Sequence, residues 1–308
     1  MKRPALRTRP SSCSQRSDHA LIIDSHAHFE PRMLALDGVI DKMDQAGVDR
    51  IVFIPALNDP LPDIPEKLLA VLRQAMKHKA TRSAGELIHR ATMRKGAVFI
   101  NRERFAIYPA PDNAAVAEVL RAHPERFLGW IFLNPAHDAG VLDTLERWRQ
   151  EPGFIGVKLH PHWHDYRTEI LGPLLQRCEE LGLPVLIHLG FRARGDFRSM
   201  ASTYPRLKII AAHAGFPFYG DLWRYKNAHP NLHVDLSSPY IDETLARQAV
   251  KAMGPERCLY GTDAPYGAVE EDGSFDYRTI RGWVDRMPCS GRQRDGILGA
   301  NFARLIGL

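Results

Sequence analysis

Eight short apolar runs, rich in β-branched and aromatic residues, recur along this chain with helix-like stretches between them. They are Leu21 to His26, Arg50 to Pro55, Phe127 to Leu133, Phe154 to His160, Pro184 to His188, Leu207 to His213, Leu232 to Leu236 and Arg257 to Asp263. Strands that alternate with helices pair in parallel, because each connection must cross back over the sheet. Eight such units in 308 residues fit a closed α/β barrel, a distorted (β/α)8 TIM barrel. An open doubly wound sheet is the alternative, but no Gly-x-Gly-x-x-Gly follows the first run. Helices are expected from Gly38 to Ala46, Asn113 to His123, Ala139 to Arg149, Gly172 to Leu181 and Asp242 to Met253. Gly47, Gly182 and Gly254-Pro255 supply stop signals.

One connection breaks the rhythm. About 70 residues separate the second and third runs, far more than an ordinary loop. A helical insertion is predicted over 57–112, with a basic helical stretch from Lys67 to Lys95. It is either a solvated extension, a lid over the barrel mouth or an oligomer contact. Residues 1–19 are rich in Arg, Ser and Pro, and are predicted to be a disordered tail ahead of a barrel over 20–308. They lack the apolar segment of a secretory signal. No run of about 18 apolar residues predicts a membrane span.

A formal net charge of +5 suits an anionic small molecule and is too diffuse for nucleic acid. The four cysteines, Cys13, Cys178, Cys258 and Cys289, form no C-x-x-C pair and read as reduced thiols of a cytoplasmic protein.

The ends of the runs are the informative part. Catalytic residues of such barrels sit at the C-terminal ends of strands. The first run ends in Asp24-Ser25-His26-Ala27-His28, the fourth in Lys158 and His160, the fifth in His188, the sixth in His213 and the eighth in Asp263. Histidines two apart on a strand face the same side. One such pair is weak evidence. Five of eight runs ending in metal-competent or acid/base groups are hard to explain by packing.

The segments IIDSHAH, HPERFLGWIFLNP, GFIGVKLHP, PVLIHLG, LKIIAAHAG, NLHVDLSS, GPERCLYGTDAP and ILGANFARLIGL together resemble the amidohydrolase superfamily. Within it, the chain is similar to the amidohydrolase-related group that includes aminocarboxymuconate-semialdehyde decarboxylase. The resemblance spans 21–308 except the insertion. It implies one divalent metal per chain, usually Zn2+, with Mn2+ or another divalent ion as alternatives. By position, His26, His28, His188 and Asp263 would be its ligands, Asp263 also acting on the proton of the bound water, and His213 would be the acid/base residue. Zinc on such ligands lowers the pKa of water to ~7. It is also compatible with a homodimer.

Lys158 admits three roles: a carboxylated lysine bridging two metals, a substrate contact beside one metal, or a structural residue. His160 shares its face and is a candidate pocket residue. His162 and His164 form a second His-x-His, read as loop residues lining the pocket because Pro161 interrupts the strand. Arg192 and Arg194 are candidates to hold a substrate carboxylate or phosphate, or belong to a solvated loop. Asp24 is expected to support the metal histidines or to be a hydrogen-bond partner inside the barrel. The first functional expectation is a metal-dependent hydrolase of an amide, lactone or related carbonyl compound. The alternatives are a non-oxidative decarboxylase of an aromatic or enoic acid, and a non-catalytic barrel retained for binding.

Overall fold

The computed structural model describes residues 20–62, 64–94, 96–267, 275 and 277–308; the expected tail over 1–19 lies outside them. Eight strands form one parallel sheet: β1 (Ile23–Phe29), β2 (Arg50–Pro55), β3 (Phe127–Phe132), β4 (Phe154–Leu159), β5 (Val185–Ile187), β6 (Ile209–Ala211), β7 (Leu232–Asp235) and β8 (Cys258–Leu259). Each pairs in parallel with the next in sequence. The sheet closes between its last and first strands. Tyr260 O accepts from Ser25 N at 3.0 Å, His26 O from Asp263 N at 2.7 Å, and Ala264 O from His28 N at 2.6 Å. The (β/α)8 barrel expected from the sequence is therefore what the chain forms.

Period-two alternation sorts the strand residues into two layers. Ile51, Phe53, Phe127, Ile131, Val157, Leu159, Val185 and Ile187 pack outward under the helices. Val52, Ile54, Leu128, Trp130, Phe132, Leu186, Ile210 and Leu259 fill the barrel interior. Gly156 makes room for that filling: a Cβ there would stand 2.6 Å from the Trp130 ring and 2.5 Å from the Pro184 carbonyl. By the same alternation, Lys158 and His188 take interior positions, one at the end of β4 and one just past β5.

On β1 the alternation is broken. Its register against β2 shifts between Asp24 and Ala27. Ile23 packs in the interior cluster and Ala27 in the outer one, four residues apart. A β-bulge changes which face later residues occupy, and here it frees His26 and His28 to face the barrel mouth.

The helices begin and end where their caps say. Helix α1 (Leu36–Ala46) stops at Gly47, whose φ of 65° suits glycine. The insertion supplies α2 (Glu66–Lys77) and α3 (Lys79–Thr92). It also carries a small antiparallel sheet over Met93–Arg94, Ala97–Ile100 and Glu103–Ala106. The segment expected to be helical is thus part β. Its second hairpin turns through Asn101 and Arg102, both at positive φ, a two-residue geometry that ordinarily selects Asn-Gly. Past it, α4 (Asn113–Ala122) starts at Asp112, which accepts from Ala114 N and Ala115 N. On the far side of the barrel, α5 (Glu243–Met253) follows β7 and α6 (Tyr277–Asp285) follows β8. No helix among the described residues is long and apolar enough to cross a membrane.

Candidate metal centre and reaction pocket

At the C-terminal mouth of the barrel the strand-end residues meet. Ligand atoms of His26, His213 and Asp263 lie within 4.8 Å of one another. Asp263 Oδ1 stands 3.3 Å from Nε2 of both His26 and His28. The His188 ring lies 4.8 Å from that of His213. All five residues are buried.

The outward-facing nitrogens decide what the inward ones can do. His26 Nδ1 is 2.9 Å from Asp235 Oδ2, a bond that holds the proton on Nδ1. His213 Nδ1 lies 3.2 Å from the Ser237 carbonyl, and His188 Nδ1 lies 3.2 Å from the Leu189 carbonyl. Carbonyls only accept, so these nitrogens donate and leave Nε2 as a lone pair. His188 Nε2 is buried with no partner. An orphaned buried acceptor beside a carboxylate and further imidazoles is what a cation would satisfy. The converging set of His26, His213 and Asp263 fits a divalent metal; of the other ligands expected from the sequence, His28 and His188 lie beside that set rather than within it.

The electrostatics agree. Burial pushes His26 down to about 4, with the neighbouring Lys158 charge adding to the shift. Burial likewise holds His188 well below the ordinary histidine value and lowers His213. Neutral imidazoles are the ligating form. Burial alone would raise Asp263, but His213, His28 and His26 around it bring it below its usual value, so it is ionised. His213 and Asp263 both adopt left-handed backbone, at φ 52° and 60°. Such a conformation costs roughly 1–2 kcal/mol for a non-glycine residue, and strain of this kind gathers at functional sites.

Lys158 is fully buried, with Nζ 3.4 Å from His26 Nε2. Burial lowers it to about 8, which leaves it cationic at neutral pH. His160 stacks on His188 at 4.3 Å and accepts from Trp163 N at 3.1 Å. His162 also stacks on His188, at 5.0 Å, as a packing neighbour. His164 turns to the Tyr108 carbonyl, 3.1 Å away.

His26, His28, Lys158, His160, His188, His213 and Asp263 line a cavity of about 550 Å³; His162 and His164, expected from the sequence to line the pocket, do not. Its walls are Trp163, Tyr240, Tyr266 and Trp283, and the insertion contributes Leu61, Ile64, Leu69 and Arg73. Arg73 is buried and donates to the Pro239 carbonyl at 2.7 and 3.1 Å, with its other edge on the exposed Glu66.

For two other readings the structure selects between the alternatives. Arg192 and Arg194 do not line this cavity; they line a second one across Trp163. The loop after His188 folds on itself, Gly190 N donating to Arg194 O at 3.0 Å, and this swings both arginines away. Asp24 takes the second of its two expected roles, a hydrogen-bond partner inside the barrel. Its carboxylate accepts from His26 N and Thr262 N, each at 3.1 Å, and from the Thr262 hydroxyl, so it fastens the barrel seam. Burial raises it to about 7.

The role foreseen for Asp24 belongs to Asp235 on β7. It holds His26 Nδ1 and also accepts from His213 N at 3.0 Å and from Ser237. Asp235 and Arg73 were not singled out from the sequence. The signal for Asp235 was available: it is an acidic residue closing the apolar run Leu232 to Leu236.

A family model described as Amidohydrolase matches residues 23–308. Among solved structures, the chain resembles 5-carboxyvanillate decarboxylase LigW from Sphingomonas paucimobilis at 16% identity and a TM-score of 0.58, covering 94% of this chain and 100% of that one. It resembles a dihydroxybenzoic acid decarboxylase from Polaromonas sp. JS666, solved with manganese and the inhibitor 2-nitroresorcinol, at 18% identity and a TM-score of 0.60, covering 94% and 98%. It also resembles 4-oxalomesaconate hydratase LigJ from Rhodopseudomonas palustris at 15% identity and a TM-score of 0.62, covering 93% and 96%. No curated protein sequence matches it.

Proposed function

Since this chain belongs to the amidohydrolase family, we propose that it is a metal-dependent, non-oxidative carboxy-lyase acting on an aromatic or enoic acid. The observation that carries this reading is the pocket's make-up. Two buried cations, Lys158 and Arg73, line a cavity whose walls are largely aromatic and apolar; outside the histidine–aspartate cluster its carboxylates are Glu66, paired with Arg73, and Asp242, the N-cap of α5. A flat acid matches both features: its ring packs on Trp163, Tyr240 and Tyr266, and its carboxylate finds charge in a place that water solvates poorly. The decarboxylases among the structural neighbours are consistent with it.

His26, His28, His188 and Asp263 would hold the cation, which supplies Lewis-acid chemistry: polarising a substrate oxygen, or lowering the pKa of water. Lys158, about 3.4 Å from His26 Nε2, orients the substrate's negative charge toward the cluster. Arg73 can exchange exposed Glu66 for a substrate carboxylate without giving up the Pro239 carbonyl. In the reaction the bond to the carboxyl carbon breaks and its electron pair stays on the ring or enoic carbon. A proton then takes the vacated position. Asp263, ionised, and His213, unprotonated at Nε2, both line the cavity and are the groups assigned to take that proton up from solvent and pass it to the carbon. Asp235 keeps the His26 ring oriented and holds the His213 backbone, while Ser237 holds the His213 ring.

Hydrolysis of an amide or lactone is the second reading. The same Asp263 and His213 suit a general base and an oxyanion partner, and about 550 Å³ leaves room for water beside a small substrate. One assay separates the two. Enzyme loaded with Mn2+ or Zn2+ is given hydroxybenzoates, enoic acids, lactones and amides, and both carbon dioxide release and hydrolysis are followed. Carbon dioxide release from the acids is the expected result. Hydrolysis of lactones or amides with no carbon dioxide from any acid overturns the carboxy-lyase reading in favour of the second.

A further inference from the structure

The second cavity, about 400 Å³, lies between the insertion and the barrel loops, and Trp163 forms part of the wall of both cavities. Five guanidinium groups line it: Arg90 and Arg94 from the insertion, and Arg167, Arg192 and Arg194 from the loops after β4 and β5. Only two carboxylates, Glu86 and Asp165, line it with them.

Those two carboxylates are already engaged. Buried Glu86 accepts from Arg90 at 2.8 Å with one oxygen and from Arg192 at 2.7 Å with the other. Asp165 accepts from Arg194. Arg167 pairs with Glu169, an exposed residue outside the cleft lining. Among the described residues Arg94 has no carboxylate partner; its guanidinium lies over the Phe99 ring at 5.0 Å. His89 adds no charge at neutral pH, because burial and then the Arg194 charge lower it to about 4. The cleft therefore carries more positive charge than its own acids neutralise, and that excess is shared across two separate pieces of chain. Guanidinium forks on two facing walls bind phosphate- or carboxylate-type groups through paired hydrogen bonds. The floor between them is apolar, with Met93, Ile107, Trp163 and Phe191.

We propose that this cleft binds a small organic anion bearing two or more negative charges, a phosphate monoester foremost, and that the bound anion latches the insertion to the barrel. Without an anion, Arg90 and Arg94 stand with Arg167, Arg192 and Arg194 as like charges, bridged by Glu86 and by His89, which reaches Arg194 and packs on His162 and Phe191. With one, the same groups become a bridge. The latch bears on the reaction pocket through Trp163, which lines that pocket together with Tyr240. Tyr240 in turn packs edge-on against His188 and His213. None of this depends on which reaction the metal pocket carries out.

The test uses the full-length, metal-loaded protein with inorganic sulfate and inorganic phosphate as probes, each against sodium chloride at equal ionic strength. Backbone hydrogen exchange over residues 79–106 is the readout. Either probe at several times its dissociation constant should slow exchange there about five-fold. The double variant Arg94→Gln/Arg167→Gln removes two cations that hold no buried partner, so its fold is expected to persist, and it should lose this protection. Arg192→Gln should lose it in part. Equal protection of wild type and double variant would reduce the effect to general salting-out by these ions and overturn the proposal. So would exchange in the wild type that neither probe slows beyond chloride.

Discussion

The two cavities on either side of Trp163 are assembled by opposite means. The metal pocket is floored by side chains at strand ends, whose directions follow from strand pleat and one bulge. They are buried and tied from behind by Asp235, Ser237 and backbone carbonyls. The arginine cleft is floored by loops and by the insertion, and its charged groups are long, mostly exposed and held through single ion pairs. The first is preorganised and can position reacting atoms. The second can adapt, and suits gathering charge rather than directing chemistry.

The largest expected effect falls on the pocket floor. Asp263→Asn and His188→Ala should each reduce bound divalent metal from one per chain to a small fraction by elemental analysis. Turnover should fall by about three orders of magnitude or more. Retention of full metal content in both variants would place the ion elsewhere and end the contrast drawn here.

Next comes the support behind the floor. Asp235→Asn keeps the shape but loses the charge that holds His26 Nδ1–H, and metal affinity in a metal-buffered titration should weaken about 10- to 100-fold. An unchanged affinity would mean that the rings hold their orientation by packing alone.

Arg73 tests whether the pocket reads charge. Arg73→Leu should raise KM for an acid substrate about 10-fold or more, with a smaller change in kcat, as loss of a charge-assisted hydrogen bond predicts. If Arg73 only clips Pro239 in place, neutral and anionic ligands will weaken alike.

The smallest effect concerns acid stability. Burial lowers both His89 in the cleft and His233 on β7 to about 4. Unfolded histidine titrates near 6.5, so below that pH the unfolded chain binds protons that the folded one refuses. The contribution of these two histidines is complete above about pH 6.5 and is lost as pH falls from there toward 4. Tm should drop by a few degrees between pH 7 and pH 5, and His233→Gln should shallow that slope. A slope unaltered by His233→Gln and by His89→Gln would show that neither is protected from protonation.

Much of this was readable in the sequence, and for a physical reason. Strand alternation and glycine stops are local, so the eight barrel strands, the ends of α1 and of the helix Gly172–Leu181, and the interior placement of Lys158 and His188 follow from nearest neighbours. The misjudged parts depend on tertiary contacts. The face of His26 is set by a bulge between Asp24 and Ala27, not by counting in twos from Asp24. Arg192 and Arg194 follow His188 closely, yet the fold of one loop sends them to another cavity. Arg73 looked like one more basic residue of an amphipathic helix until α2 docked against Pro239. The sheet over 93–106 has strands too short and a turn too unusual to stand out.

The seam of the barrel carries one more implication. His26 and His28 sit on the first strand and Asp263 lies just past the last, so the proposed metal ligands are more than two hundred residues apart along the chain and adjacent only once the ring is shut. A ribosome delivers the two histidines early and the aspartate almost at the end. A nascent or prematurely terminated chain therefore carries half a site, and tight metal capture must wait for synthesis to pass Asp263. On this ligand set, metal retention would report that the barrel has been completed, and would separate finished molecules from fragments.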